Sequence, residues 1–408
     1  MAPTPGGIPM NRRTFLNSTA VAGMTAASAQ RVLGANDRIG IGTVGTGGRG
    51  RTLTRYFKEN EKADTRAVCD IYEANLTRGA ETAGTNTKTY HEYERLLEDK
   101  DIDAIIVATP DHWHAPITIA ACEAGKDVYV EKPMCHTIDE AFQMIDAVRR
   151  TNRVVQIGTQ RRSYDLFREG KKIMESGRVG KIQLVNSWWY NNLTKPRDPV
   201  VKGKVDWERW QGYAEKREFD PFRFRNWYWF YDYSGGLTVG QGAHILDCIN
   251  WYMEAKFPRA VTCVGVKSDV PGLEIPQTTT LTVEYPEGFI AVFTLGYKHM
   301  RYHRAHDQMK QFCGNKARFD VSRESHHLYE PTAELEDKPA YELIRYGTWG
   351  RSTAQHVDNF LSCVQSRKDP TAPVEAGAYA AVSLAMAMES LQSGKRMLFD
   401  ADAKRMSA

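Results

Sequence analysis

No Cys-x-x-Cys pair occurs anywhere in the sequence. The seven cysteines, Cys69, Cys122, Cys135, Cys248, Cys263, Cys313 and Cys363, stand far apart, so neither a zinc site nor a redox pair is signalled. An odd, scattered set fits structural thiols better than a disulfide framework. A long apolar run is also missing. The nearest candidate, Ser18–Ala29, reads STAVAGMTAASA and is too short and too rich in Ala, Gly and Thr to span a bilayer. Charge of one sign is scarce. A net charge of +4, with 25% of residues charged, argues against a dedicated nucleic-acid binder, which needs a clustered basic face. There is no internal repeat and no low-complexity tract. What remains is an ordinary globular composition, 42% hydrophobic, in a chain of 408 residues. That length exceeds what one core usually holds, so two domains are expected.

The N-terminus reads differently from the rest. Met10–Leu16 is MNRRTFL, and the apolar run follows it, ending in Ala27-Ser28-Ala29. Twin Arg12-Arg13, an apolar stretch and an Ala-x-Ala site in that order resemble a twin-arginine export signal over residues 1–29. The expected location is then the periplasm, or otherwise outside the cytoplasm. A basic disordered tail is the plain alternative.

From Arg38 to Gly158 short Val/Ile-rich runs alternate with helical stretches. RIGIGTVG, TRAVCD, DAIIVAT, DVYV and RVVQIG read as strands. Thr137 and Glu140 form a capping-box pattern ahead of one helix. Alternation of this kind means a doubly wound parallel sheet, here a Rossmann domain over 36–158. After Gly158 the pattern changes to strands joined by turn-like links such as Pro286-Glu287-Gly288. The second domain, 159–408, is expected to be α+β with an open, largely antiparallel sheet, giving an α/β protein overall.

Gly45-Thr46-Gly47-Gly48-Arg49-Gly50 is G-x-G-x-x-G. A strand precedes it, a helix follows, and Asp70 ends the next strand 20 residues after Gly50. Gly45 permits the tight turn, Gly47 lets backbone approach a pyrophosphate, and Gly50 lets helix and strand pack closely. Free N–H groups at the helix start would meet the phosphates. Asp70 is expected to accept hydrogen bonds from the adenosine ribose, which favours NAD over NADP. Arg49 keeps NADP open.

The stretch DVYVEKPM (Asp127–Met134) ends a strand in Glu131, Lys132 and Pro133. Ligands of doubly wound sheets bind beyond the carboxyl ends of the strands. Lys132 leaves the sheet there, as does Thr109-Pro110-Asp111-His112-Trp113-His114. A lysine in that place can donate to a substrate oxygen and stabilise an alkoxide. A solvated charge pair in a loop is the bland alternative.

GTVGTGGRG, Asp70, ATPDHWHAPI, AGKDVYVEKP and GGLTVGQGAHILD together resemble the glucose–fructose oxidoreductase / inositol dehydrogenase / rhizopine-catabolism (Gfo/Idh/MocA) family. The likeness runs from about Arg38 to the C-terminus. It implies a tightly held nicotinamide cofactor, a sugar-like or cyclitol substrate and a homo-oligomer. It also implies that Lys132 is the catalytic lysine, with Thr109, Asp111, His114 and Glu131 beside the cofactor. The family usually carries Asp-x-x-x-His on one helix after a glycine pair. Here His244 matches the histidine, as a general base or substrate ligand, but Gly240 stands at the aspartate position. Residues i and i+4 share a helical face, so the missing carboxylate would have stood beside His244. Asp247, at i+3, is a candidate replacement that would orient His244 or meet substrate.

Seven of the nine tryptophans fall between Trp188 and Trp251. On a strand, Trp188 and Tyr190 share a face and are expected to stack on a sugar, unless the cluster is ordinary packing. Gln160, Arg161 and Arg162 follow the last Rossmann strand and are placed to reach substrate, with a solvated Arg161 or Arg162 as the plain alternative. His303–His306 and His326-His327 hint at a metal, but no carboxylate stands in register and no metal is expected. The leading expectation is an NAD(P)-dependent oxidoreductase of a sugar hydroxyl. The alternatives are a redox-neutral, NAD-dependent glycosidase or epimerase, and a non-enzymatic sugar sensor.

Overall fold

The computed structural model describes residues 38–190, 195–268, 270–296, 306–331 and 338–408. The proposed export signal and His303 lie outside them. The first half alternates β1 (Ile39–Val44), α1 (Gly48–Lys58), β2 (Ala63–Cys69), α2 (Glu73–Ala83), β3 (Lys88–Tyr90) and α3 (Tyr93–Glu98). It continues with β4 (Ala104–Val107), α4 (His114–Glu123), β5 (Asp127–Val130), α5 (Ile138–Thr151) and β6 (Val155–Ile157). Among the described residues these strands form a parallel sheet ordered β3-β2-β1-β4-β5-β6. The order reverses at β1, which opens a crevice between the ends of β1 and β4, where the glycine loop leaves the sheet. Strands β1, β4 and β5 are buried at every residue, as strands covered on both faces must be. The capping box starts α5: Thr137 Oγ1 accepts from Glu140 N at 3.2 Å, and Glu140 Oε2 accepts from Thr137 N at 3.0 Å.

The second half contains α6 (Asp165–Glu175), β7 (Ile182–Trp189), α7 (Trp207–Gln211), α8 (Pro221–Arg225), α9 (Gly236–Met253), β8 (Ala260–Val266), β9 (Thr278–Tyr285) and β10 (Phe289–Leu295). Then come β11 (Gln308–Gly314), β12 (Arg318–Ser322), β13 (Ser325–Tyr329), β14 (Tyr341–Ile344), α10 (Thr348–Ser366), α11 (Val374–Ser393), β15 (Met397–Asp400) and β16 (Arg405–Ser407). Their sheet is ordered β14-β13-β12-β11-β7-β10-β9-β8-β15-β16. The pairings are antiparallel except β7 with β10, which is parallel because the chain crosses over through α9 between them. The sheet is mixed and mostly antiparallel, in line with the sequence reading.

Helix α9 is apolar around most of its circumference, and it is buried almost throughout. It packs against α11 and the inner face of the sheet. The outer face leaves Leu184, Val264, Val266 and Ile290 exposed. The α9 N-terminus points its first turns at the crevice of the first domain, where Lys132 meets it.

Candidate active site

A cleft of about 680 Å³ runs from the glycine loop to the start of α9. At its first end Gly45 adopts φ +86°, and a Cβ there would lie 2.7 Å from Thr109 N. A Cβ on Gly50 would lie 1.9 Å from Gly45 O, so neither position admits a side chain. At Gly47 and Gly48 nothing stands within 4 Å of such a Cβ. The loop is therefore closed where it packs and open where a phosphate would approach, and Gly47 caps α1 without a side-chain bond. The residues present fit a dinucleotide diphosphate.

Asp70 Oδ2 accepts from Thr46 N at 2.8 Å and Thr46 Oγ1 at 3.2 Å, while Oδ1 accepts from Tyr72 N at 2.9 Å. Thr46 is fully buried, so it fixes the carboxylate rather than facing the cleft. Burial pushes the Asp70 pKa up against these hydrogen bonds. Its remaining lone pairs face the cleft beside Asn75, Arg51 and Arg78. Arg49, read from sequence as the residue that keeps NADP open, is turned elsewhere. It forms an ion pair with buried Glu131 at 2.7 Å and lies over Trp349, 5.5 Å from the ring centre. The arginines near Asp70 are Arg51 and Arg78.

At the second end the Lys132–Pro133 bond is cis. Lys132 lines the cleft and donates from Nζ to Gly240 O at 2.9 Å. Burial lowers its pKa, against the opposing pull of Glu131 and Asp111. His114 lies between two carbonyls, with Nδ1 2.6 Å from Pro133 O and Nε2 3.0 Å from Thr109 O. It joins the loop after β4 to the turn after β5. Asp111 accepts from Ser234 Oγ at 2.6 Å and so links the first domain to the entry of α9, and burial raises its pKa. Thr109, Asp111, His114, Glu131 and Lys132 thus form one connected wall.

His244 stands one helical turn beyond Gly240 but behind the cleft wall, 2% exposed. Its ring lies near Trp189 and Trp349, with centroids 6.0 and 6.3 Å away. Nδ1 is buried without a hydrogen-bond partner. Burial, then the charges of Lys132, Arg161 and Arg49, hold the His244 pKa well below its ordinary value, so the ring is neutral. Asp247 does not orient it and does not reach the cleft. Its buried carboxylate instead accepts from Arg162 Nε at 2.7 Å, on the strand-end helix Gln160–Ser163. Arg161 bonds Gln308, approaches His244 O at 3.5 Å and lies over Trp189. Burial brings its pKa down to about 10. Gln160 is buried with Oε1 unpartnered.

The face shared by Trp188 and Tyr190 is the one opposite the buried residues of β7. Trp188 and Tyr190 do stack on each other, at 6.0 Å, but on the outer side of the sheet. Val185, Ser187 and Trp189 point inward, and Trp189 is the ring that reaches His244. Alternation groups residues by face without saying which face is covered. Tyr228, in the aromatic run Asn226–Tyr233, and Trp349, which the sequence did not signal, also meet the site from distant elements. Of the tempting histidines, His326 is buried against Phe167 and Phe319, and His327 meets Glu342 at 2.8 Å. Among the described residues no cluster of three or more potential ligands could hold a metal, and no helix is long and apolar enough to cross a membrane.

Two family models match the chain. One, described as an oxidoreductase family with an NAD-binding Rossmann fold, covers residues 39–159. The other, the C-terminal α/β domain of the same family, covers residues 171–398. The chain belongs to the Gfo/Idh/MocA oxidoreductase family. Inositol 2-dehydrogenase of Salmonella typhimurium is 31% identical over 159 residues, 39% of this chain and 46% of that protein. A glycosyl hydrolase family 109 protein of Shewanella baltica is 34% identical over 125 residues, 29% of this chain and 27% of that protein. The matched stretches thus span less than half the length of these curated relatives. A solved levoglucosan dehydrogenase, in complex with NADH and levoglucosan, superposes with a TM-score of 0.70 at 16% identity, covering 88% of this chain and 99% of that one. Such likeness shows the shared fold.

Proposed function

We propose that the chain is an NAD-dependent oxidoreductase acting on a hydroxyl of a sugar or cyclitol, with Lys132 and His244 handling the proton. One observation carries this: a single cleft joins an open Gly47-Gly48 loop to the Lys132 ammonium. NAD, when bound, supplies the hydride acceptor. Gly45 to Gly50 and Asp70 would hold it, and Thr109, Asp111, His114 and Glu131 would wall its reactive end. Lys132 would then serve a substrate oxygen beside the cofactor. Its pKa, lowered by burial, makes the ammonium a readier proton donor to that oxygen than an exposed lysine would be. Neutral His244 would offer an acceptor behind it, and the Lys132 charge disfavours its protonation. The inositol and levoglucosan dehydrogenases named above support a polyol or sugar substrate. Lys132→Met should abolish turnover while the nucleotide stays bound; turnover within a few-fold of the unsubstituted protein would refute the reading.

The likeness to a glycosyl hydrolase over 125 residues, with Gly240 at the aspartate position, supports a second reading. There the hydride is borrowed and returned during an elimination or epimerisation. Substrate deuterated at the oxidised carbon separates the two. Label kept in product without net NADH favours the second. Asp70 favours NAD, and Arg51 with Arg78 leaves NADP as the outcome to exclude by comparing the two nucleotides. We also propose export by the twin-arginine route, and a homo-oligomer that covers the exposed Val264, Val266 and Ile290 face.

A further inference from the structure

We propose that the Tyr228 hydroxyl takes the place left vacant at Gly240 and acts as a catalytic hydrogen-bond donor to the substrate oxygen that Lys132 serves. A Cβ built on Gly240 would lie 1.7 Å from Tyr228 Oη and 2.8 Å from its Cζ. No side chain at position 240, aspartate included, can share that space with the phenol. Tyr228 comes from another element, the short turn Trp227–Trp229 that follows α8, and it lines the same cleft as Lys132. Lys132 Nζ bonds the carbonyl of the same Gly240. Phenol and ammonium therefore converge on one residue of α9 from two sides. Glycine at 240 is what lets the phenol approach, while Lys132 meets a carbonyl that any residue would offer.

The exchange changes the chemistry. A carboxylate is an acceptor with a full negative charge, and it would hold Lys132 in its charged form. A phenol, with an ordinary pKa near 10, is neutral and can donate. Removing the anion agrees with the lowered pKa values of Lys132 and His244. A donor beside Lys132 strengthens its bond as charge develops on a substrate oxygen, which is the condition for rate enhancement. The substrate O–H proton would leave to the Lys132/His244 pair, and NAD, when bound, would supply the acceptor for the carbon's hydride. The phenol keeps its proton throughout.

This inference rests on the reading of Lys132 given above, and the test separates the two. The probes are a panel of free hexoses, cyclitols and an anhydro-sugar, with turnover followed in the nucleotide-loaded enzyme. Tyr228→Phe keeps the ring and should lower kcat by about 100-fold, with KM moving far less. Tyr228→Ala should lose activity, and Tyr228→Ala with Gly240→Asp should regain part of it. A readout free of substrate accompanies these: Gly240→Asp alone should lower Tm, and should do so much less in the Tyr228→Ala background. Tyr228→Phe within threefold of the unsubstituted kcat, or Gly240→Asp equally destabilising in both backgrounds, overturns the inference. If Lys132→Met abolishes turnover and Tyr228→Phe does not, only the inference fails. If Lys132→Met leaves turnover intact, or no probe is turned over at all, both fail.

Discussion

At the glycine end of the cleft the groups that face a ligand are mostly backbone: the free N–H groups of the α1 start and the bare Cα atoms of Gly47 and Gly48. At the lysine end they are side chains from the turn after β5 and the turn before α9, which meet at Gly240 of α9. Backbone can be presented to a phosphate with little change in its own hydrogen bonding. The lysine end instead buries ionisable groups that oppose one another. Lys132, His244 and Arg161 all have lowered pKa values, and burial is the first cause of each. The first end is built to hold and the second to react. Tolerance to substitution should therefore differ between them in kind.

The largest effect belongs to the reactive end. Lys132→Met should lower kcat by about 10³-fold, within the range of a lost general acid–base group, while Tm and nucleotide content hold. Steady-state kinetics with nucleotide quantitation checks both. Next is the buried pair behind His244. Asp247→Ala leaves Arg162 uncompensated and should cost about 3–5 kcal/mol of stability in denaturant melts. At the holding end, Gly47→Val and Gly50→Val should part company. The first should weaken NAD binding by about 100-fold with Tm nearly unchanged, since a Cβ there meets only open space. The second should lower Tm as well, because its Cβ strikes Gly45 O. Binding titration beside thermal melts tells them apart.

The smallest effect tests burial itself. Lys310 is fully buried, its Nζ has no hydrogen-bond partner, and its pKa is lowered to about 7 by burial and then by Arg161. Its folded pKa lies below the unfolded one, near 10.4. The unfolded chain thus binds more protons between about pH 7 and 10, and stability rises with pH across that window. Below it the penalty is constant. Lys310→Met should stabilise the protein at pH 7, and the gap to the unsubstituted protein should narrow by pH 9. Melts at the two pH values check this; an unchanged gap would contradict it.

The part legible in sequence was the part that local sterics or short spacing decide. Gly45 and Gly50 could be read because a turn and a close packing exclude any Cβ. The Thr137/Glu140 capping box could be read because both partners lie within four residues. Lys132 could be read because the end of a parallel strand has a known place in the sheet. Partners far apart in the chain could not be read. Asp247 looked available to His244 until Arg162, 85 residues away, was seen to hold it. Trp188 and Tyr190 share a face, yet only the fold shows that Trp189 faces the helices. Arg49 stands in the phosphate loop but answers to Glu131 across the sheet. The gap at Gly240 was visible, whereas what fills it was not, since Tyr228 arrives from a separate turn.

The most direct measurement is a crystal structure of the NAD complex. The nicotinamide ring should lie in contact reach of Lys132 Nζ, with the diphosphate over Gly47 and Gly48. A nucleotide whose ring turns away from Lys132, or a lysine still engaged only by Gly240 O with the ring bound elsewhere, would contradict the account.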